Sequence, residues 1–269
     1  MLKDITFGQY YESKSLIHRL DPRIKIILMI LFVVFIFVSG NMVSLGFSTL
    51  SVFLVAIISR VPIKLYLKNM KAILPVLIFT AIINVFYGDG GTVVLEFWVI
   101  KITTEGLYRS VFMALRIFLL ILISSALTYT TTPNDLTDGI ESLLSPLKFI
   151  GLKNAVHTLA MMMTIALRFI PTLIEEAEKI MNAQKARGAD LESGGLIDRV
   201  KALIPILIPL LISSVRRAYE LAEAMECRCY NGGEGKTRMK QMKLKAVDLW
   251  ASLTIIFICG FIVLFNIIF

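Results

Sequence analysis

Apolar runs that approach the roughly 20 residues a helix needs to cross a bilayer recur along this chain. They lie at about Ile24 to Val38, Met42 to Ser59, Ala72 to Tyr87, Leu107 to Thr130 and Ala246 to Phe269. A chain of 269 residues that is 57% hydrophobic, with a mean hydropathy of +0.76, cannot cover its apolar surface with polar groups. The sequence therefore predicts an all-α integral membrane protein with five spans. The leader before Ile24 is polar and charged and offers no small-residue cleavage site, so the first span reads as retained and not as a signal peptide.

Basic residues set the expected orientation. The leader carries Lys14, Arg19, Arg23 and Lys25, whereas the Ser39-Gly40-Asn41 turn has no charge. Arg60, Lys64, Lys68 and Lys71 follow the second span without an acid, and Gly88 to Gly106 is mildly acidic through Asp89, Glu96 and Glu105. The positive-inside rule then puts the N-terminus, and everything from Pro133 to Lys245, in the cytoplasm. The final span carries the C-terminus out. The run Lys236, Arg238, Lys240, Lys243 and Lys245 precedes that span, where it orients the helix and meets anionic lipid headgroups. Three parts are expected: residues 1–130 with the leader and four spans, a cytoplasmic-side helical region over 131–245, and the last span over 246–269. The charge of +8 is explained by topology. Nucleic-acid binding would need basic residues interleaved with aromatic platforms or a known reader fold, and neither is present.

Between Pro133 and Tyr230 the pattern is mixed. Asn154 to Ile174 is apolar but contains His157 and Arg168, and Leu203 to Ile212 contains Pro205 and Pro209. Both run on into charged helix, which suits segments lying along or beneath the bilayer. The competing reading has seven spans. Five are preferred because the prolines and Arg168 are expensive in lipid. Thr131 to Asp135 ends the fourth span and starts a short helix to about Phe149, closed by Gly151. A long helix is predicted over Lys153 to Ala186, kinked at Pro171 and ended by Gly188 in the left-handed conformation. Another is predicted over Leu196 to Tyr230, stopping at Asn231-Gly232-Gly233.

Each long helix thus ends at an arginine between small residues: Ala186-Arg187-Gly188 and Cys227-Arg228-Cys229. One arginine near a helix C-terminus is explained by the helix dipole, worth about 0.3–1 kcal/mol. Two in matched frames, with small neighbours that leave the guanidinium uncovered, point to docking on another protein, since the arginine fork pairs carboxylates bidentately.

Catalytic and metal chemistry find little support. The string Gly232 to Thr237 ends like a phosphate-binding loop, but Tyr230 holds the first glycine position and a helix precedes it, so any ATP is bound by another polypeptide. Glu175-Glu176 resembles a paired glutamate of intramembrane proteases, yet Lys179 stands where arginine is wanted. With His18 and His157 the only histidines, a histidine-rich metal site is excluded. Cys227 and Cys229 lack the two-residue spacing of common zinc or redox sites, and Cys259 is remote; all three read as small apolar side chains. Asp21 before Pro22 caps the first helix. Arg116 in the fourth span faces the bundle or snorkels. No metal and no cofactor is expected.

Three segments together resemble one family. They are Gly8-Gln9-Tyr10 with Ser15 to Lys25 of the leader, Ala183 to Asp190, and Arg217 to Glu226 with Arg228 and Tyr230. The combination is similar to the transmembrane T component (EcfT) of energy-coupling factor transporters, over the whole length. The resemblance implies a non-catalytic scaffold in an ABC-type importer for vitamins or other micronutrients, joining two ABC ATPase subunits to a small membrane S component that captures the substrate. It implies that the two arginine triplets end coupling helices and dock into grooves on the ATPases. The second triplet departs from the family in its flanking cysteines and keeps the arginine. Met161, Met162 and Met163 suit a surface that accepts partner helices, because methionine packs adaptably, and serve ordinary helix packing equally well. A dedicated cobalt- or biotin-type T subunit is the nearest alternative. A lipid-linked transferase would need an acidic or histidine cluster that the sequence does not offer.

Overall fold

Asp21 and Pro22 start the first helix for reasons local to them. Proline's fixed φ suits the first helical position, where its missing N–H is no loss. The Asp21 carboxylate accepts from the Arg23 amide at 3.0 Å. The structure, a computed structural model, describes residues 10–86, 92–97, 100–146, 153–189, 195–231 and 242–268. Its order is α1 (Pro22–Val38), α2 (Met42–Ile58), α3 (Ile63–Phe86), β1 (Val93–Phe97), β2 (Ile100–Thr103), α4 (Thr104–Thr130), α5 (Pro133–Leu143), α6 (Lys153–Ala186), α7 (Leu196–Cys227) and α8 (Ala246–Ile268). The architecture is helical, as the sequence predicts. The antiparallel pair β1–β2 falls in what reads from sequence as loop. Gly151, the string Gly232 to Thr237, Gly8-Gln9 and Lys236 to Lys240 lie outside the described residues.

The chain divides into two compact units, one built of Gly8–Gly139 and Lys240–Phe269 and the other of Ile140–Met239. In the first, α4 packs against α1, α2 and α3, and α8 packs against α1 and α2. Phe32 and Ile36 of α1, Leu45 and Val52 of α2 and Leu119 of α4 are fully buried at its core, beside Tyr66, Ile123 and Tyr129. Close approach along α2 is allowed by Ser44, Ser48 and Ser51, all buried. The hydroxyls of Ser48 and Ser51 donate back to the Ser44 and Phe47 carbonyls at 2.9 Å, so they need no partner on another helix.

Helix ends in this unit are tied together by polar side chains. Arg116 of α4 donates to the Ser39 carbonyl at the end of α1, and its guanidinium carbon lies 4.7 Å from the centre of the Phe112 ring. It faces the bundle, one of the two placements the sequence left open. Lys25 of α1 donates to the Thr130 carbonyl at 2.9 Å. In the leader, His18 Nε2 lies 2.9 Å from the Tyr11 carbonyl, and partial burial holds this imidazole below its ordinary value.

Three boundaries differ from expectation. Helix α3 begins at Ile63, not Ala72, because Lys64, Lys68 and Lys71 recur at helical spacing; the charges mark where the apolar depth ends and not where the helix does. Helix α5 ends at Leu143, short of Phe149. Helix α7 stops at Cys227 instead of Tyr230. Among the described residues, five helices are long and apolar enough to cross a membrane: α3, α4 and α8, with Ala155–Ala186 of α6 and Val200–Cys227 of α7. Helices α1 and α2 have 17 residues each, a rise of about 26 Å against a hydrocarbon core of about 30 Å.

In the second unit α6 and α7 pack on each other. Pro171 sits inside α6, and Pro205 and Pro209 inside α7, without ending either helix. Pro209 has no N–H to offer the Pro205 carbonyl. The Gln184 side chain of α6 reaches that carbonyl at 3.5 Å.

Candidate functional site

Both arginine triplets fold into the same helix ending. At the end of α6, the Arg187 amide donates to the Ala183 carbonyl at 3.2 Å, and the Ala189 amide reaches back to Gln184 at 3.0 Å. Gly188 between them has φ of 85°. At the end of α7, the Arg228 amide donates to Met225 at 3.1 Å and the Tyr230 amide reaches the same carbonyl at 3.0 Å. Here the left-handed residue is Cys229, with φ of 54°. This is the Schellman ending, in which an amide bonds five residues back across a left-handed turn and satisfies a carbonyl the helix leaves free. It explains why α7 ends earlier than the sequence suggests. The stop is made at Cys229, before the glycines arrive.

The ending presents the arginines. Arg187 and Arg228 are both exposed, as are Ala186, Gly188, Cys227 and Cys229. Each guanidinium sits at the negative end of its helix dipole, which helps hold a cation there while its donors remain available. Cys227 and Cys229 are free thiols. Among the described residues no group of three His, Cys, Asp or Glu side chains could hold a metal ion.

Pairings along α6 and α7 show that they run antiparallel. The Tyr230 hydroxyl at the end of α7 donates to Met161 Sδ, near the start of α6, at 2.8 Å. At the other end Gln184 of α6 meets Pro205 of α7. Between these, Glu176 accepts from Ser213 and Arg217. The two arginine ends therefore point to opposite ends of the pair. From Met161 to Ala186 the rise along α6 is roughly 38 Å at 1.5 Å per residue. A single groove on a partner cannot receive both.

Of the methionines expected at a partner surface, Met162 is 61% exposed, and Met161 and Met163 are half-buried. Apolar side chains left uncovered on α7 include Leu203, Leu207, Leu211 and Val215. Sequence reasoning missed the pairing of Glu176 with Arg217. No spacing rule joins two residues that far apart on different helices, and Glu176 drew notice only for its neighbours Glu175 and Lys179.

Comparison with known proteins follows the same lines. Residues 13–240 match the CbiQ family, described as cobalt transport protein. The chain is 51% identical over 258 residues to the energy-coupling factor transporter transmembrane protein EcfT of Ruminiclostridium cellulolyticum, covering 96% of each chain. It is 44% identical over 244 residues to the EcfT of Bacillus subtilis, covering 90% of this chain and 91% of that one. Against the EcfT of Lactococcus lactis subsp. cremoris the figure is 41% over 267 residues, covering 98% and 99%.

Proposed function

Because the chain belongs to the EcfT family, the transmembrane components of energy-coupling factor transporters, we propose that α6 and α7 are its coupling helices and that each arginine ending seats in one ABC ATPase subunit. The chain is a multi-pass membrane protein and a non-catalytic transporter subunit. The single observation that carries the proposal is the repeated helix ending, with Arg187 and Arg228 exposed beside a left-handed residue at opposite ends of an antiparallel pair. Two ends roughly 38 Å apart call for two receiving grooves, and a pair of ATPase subunits supplies them. Carboxylates on each groove rim would take the arginine fork bidentately.

The remaining surface of the pair fits an S component carrying a vitamin or other micronutrient. Leu203, Leu207 and Leu211 recur every four residues and leave an apolar face on α7 for partner helices, and Met162 is exposed on α6. ATP binding and hydrolysis shift the two ATPases, the helices move with them, and the apolar face changes shape beneath the S component. A T subunit dedicated to one S component, of cobalt or biotin type, would keep the same machinery. Isolating the complex from native membrane and identifying every small membrane protein in it separates a shared from a dedicated subunit.

Replacing Arg187 and Arg228 together by glutamate tests the docking. The doubly substituted chain is expected to insert in the membrane as before and to lose at least ten-fold of the ATPase subunits that co-purify with it. Full recovery of the complex would show that the arginines do not hold the ATPases.

A further inference from the structure

The contact between α6 and α7 has a pattern that the docking of their tips does not require. Glu176 of α6 accepts from both Ser213 and Arg217 of α7. Its side chain is 22% exposed and that of Arg217 is 36%, so the pair is partly withdrawn from water at the edge of a cavity of about 410 Å³ whose lining includes Thr172, Glu175, Lys179 and Ile180. Prolines bracket this contact in the same way on both helices. Pro171 precedes Glu176 by just over one turn, and Pro209 precedes Ser213 by just over one turn. Each proline removes an i to i−4 hydrogen bond and softens the helix around it. Beyond the contact neither helix holds another proline or a glycine before its arginine: Ala177 to Ala186 on α6 and Ser214 to Cys227 on α7 are uninterrupted.

We infer that Glu176, with Ser213 and Arg217, is the fastening at which two stiff helix arms are held together, so that displacement of either arginine tip moves the pair as a unit while the proline-bearing segments bend. Glu176 and Arg217 are positioning residues in this reading, which rests on the docking of Arg187 and Arg228. Without the fastening each arm would pivot at its own proline, and motion at one tip would be lost as bending. A partly withdrawn ion pair with a second hydrogen bond from Ser213 suits the role, because its geometry is directional where apolar contact between helices is not.

Nitroxide labels on cysteines placed at Asn182 and Glu223, both exposed, in a chain with its own three cysteines replaced, report the separation of the arms by pulsed electron resonance. The measurement uses the complete complex with its ATPase subunits, with and without ATP and Mg²⁺. With the native pair the distance distribution should be single and narrow and should keep its mean on adding ATP, because the pair moves as a unit. Glu176→Gln keeps the volume and an acceptor for Ser213 but removes the ion pair; the distribution should become at least twofold wider and change its mean on adding ATP, with ATP hydrolysis within twofold. Exchanging the charges, Glu176→Arg with Arg217→Glu, should narrow it again. An unchanged width in Glu176→Gln overturns the inference, and so does failure of the charge exchange to restore it. Loss of the ATPases from the Glu176→Gln complex also overturns it, by assigning the residue to assembly. The docking reading fails by a different observation, retention of the ATPases when both arginines are reversed.

Discussion

Cys229 holds a backbone conformation that an L side chain rarely adopts, at φ of 54°, where the first helix ending uses Gly188 at 85°. The Cβ of cysteine makes that conformation cost about 1 kcal/mol or more. Among the described residues, nothing beyond Gly188 and its chain neighbours lies within 4 Å of where a Cβ would stand, so the penalty for a side chain there is conformational and not steric. Opposite substitutions should therefore move the two ends in opposite directions. Cys229→Gly is expected to slow exchange of the Tyr230 amide, and Gly188→Ala to speed exchange of the Ala189 amide, each by roughly fivefold for about 1 kcal/mol. Amide hydrogen exchange read by mass spectrometry on the purified complex measures both. If both ends respond alike, the left-handed residue does not control them. Flanking cysteines in the second triplet thus leave the arginine's presentation intact while weakening the turn that holds it.

Among the elements, α8 and α1 are joined at their starts by one buried carboxylate. Asp248 is 1% exposed; its Oδ1 accepts from the Asp21 amide at 2.8 Å and its Oδ2 from the Lys245 amide at 2.7 Å. An acid at a helix N-terminus complements the dipole, and this one serves two helices at once. Asp248→Ala leaves two amides without partners, each costing about 1–3 kcal/mol when desolvated. Thermal unfolding in detergent should show a loss of about 2–4 kcal/mol, against a change within about 0.5 kcal/mol for the exposed Glu220→Ala. Equal stability of the two variants would mean that water replaces the carboxylate at both amides. Asp248 lies in the first turn of α8, and sequence reasoning did not single it out. That its partner is the leader, more than two hundred residues away, is visible only in the fold.

For the molecule as a whole, the coupling role needs both arginine ends on the ATPase side of the membrane. Basic residues before the first span, after the second and before the last one predict a cytoplasmic N-terminus, a cytoplasmic 133–245 region and an outward C-terminus. Single cysteines at Lys64, Gly90 and Glu192 in a cysteine-free chain are probed with a membrane-impermeant thiol reagent on intact cells. Only Gly90 should label. Labelling at Glu192 would put Arg187 on the wrong face and remove its contact with a cytoplasmic ATPase. Helices α6 and α7 meet the length and composition of membrane spans, so hydropathy by itself leaves their placement open. Arg168, the three prolines and the charged second halves of both helices favour a layer at the cytoplasmic side.

Much of this was legible in the residues alone, because the signals act over a few positions. Asp21 before Pro22, Gly188 after Arg187 and the long apolar runs each act within a turn or two of themselves, so the helices, the membrane class and the arginine ending of α6 could be read directly. Where the signal was ambiguous locally, the reading slipped. Lysines at helical spacing extended α3, and a left-handed cysteine, which no propensity announces, ended α7. Helices apolar on nearly every side do not declare which face they bury. The core of Phe32, Leu45 and Leu119, the shared cap at Asp248, the antiparallel placing of the two arginine ends and the fastening at Glu176 and Arg217 were therefore decided by tertiary packing, because each depends on which faces of distant helices come together.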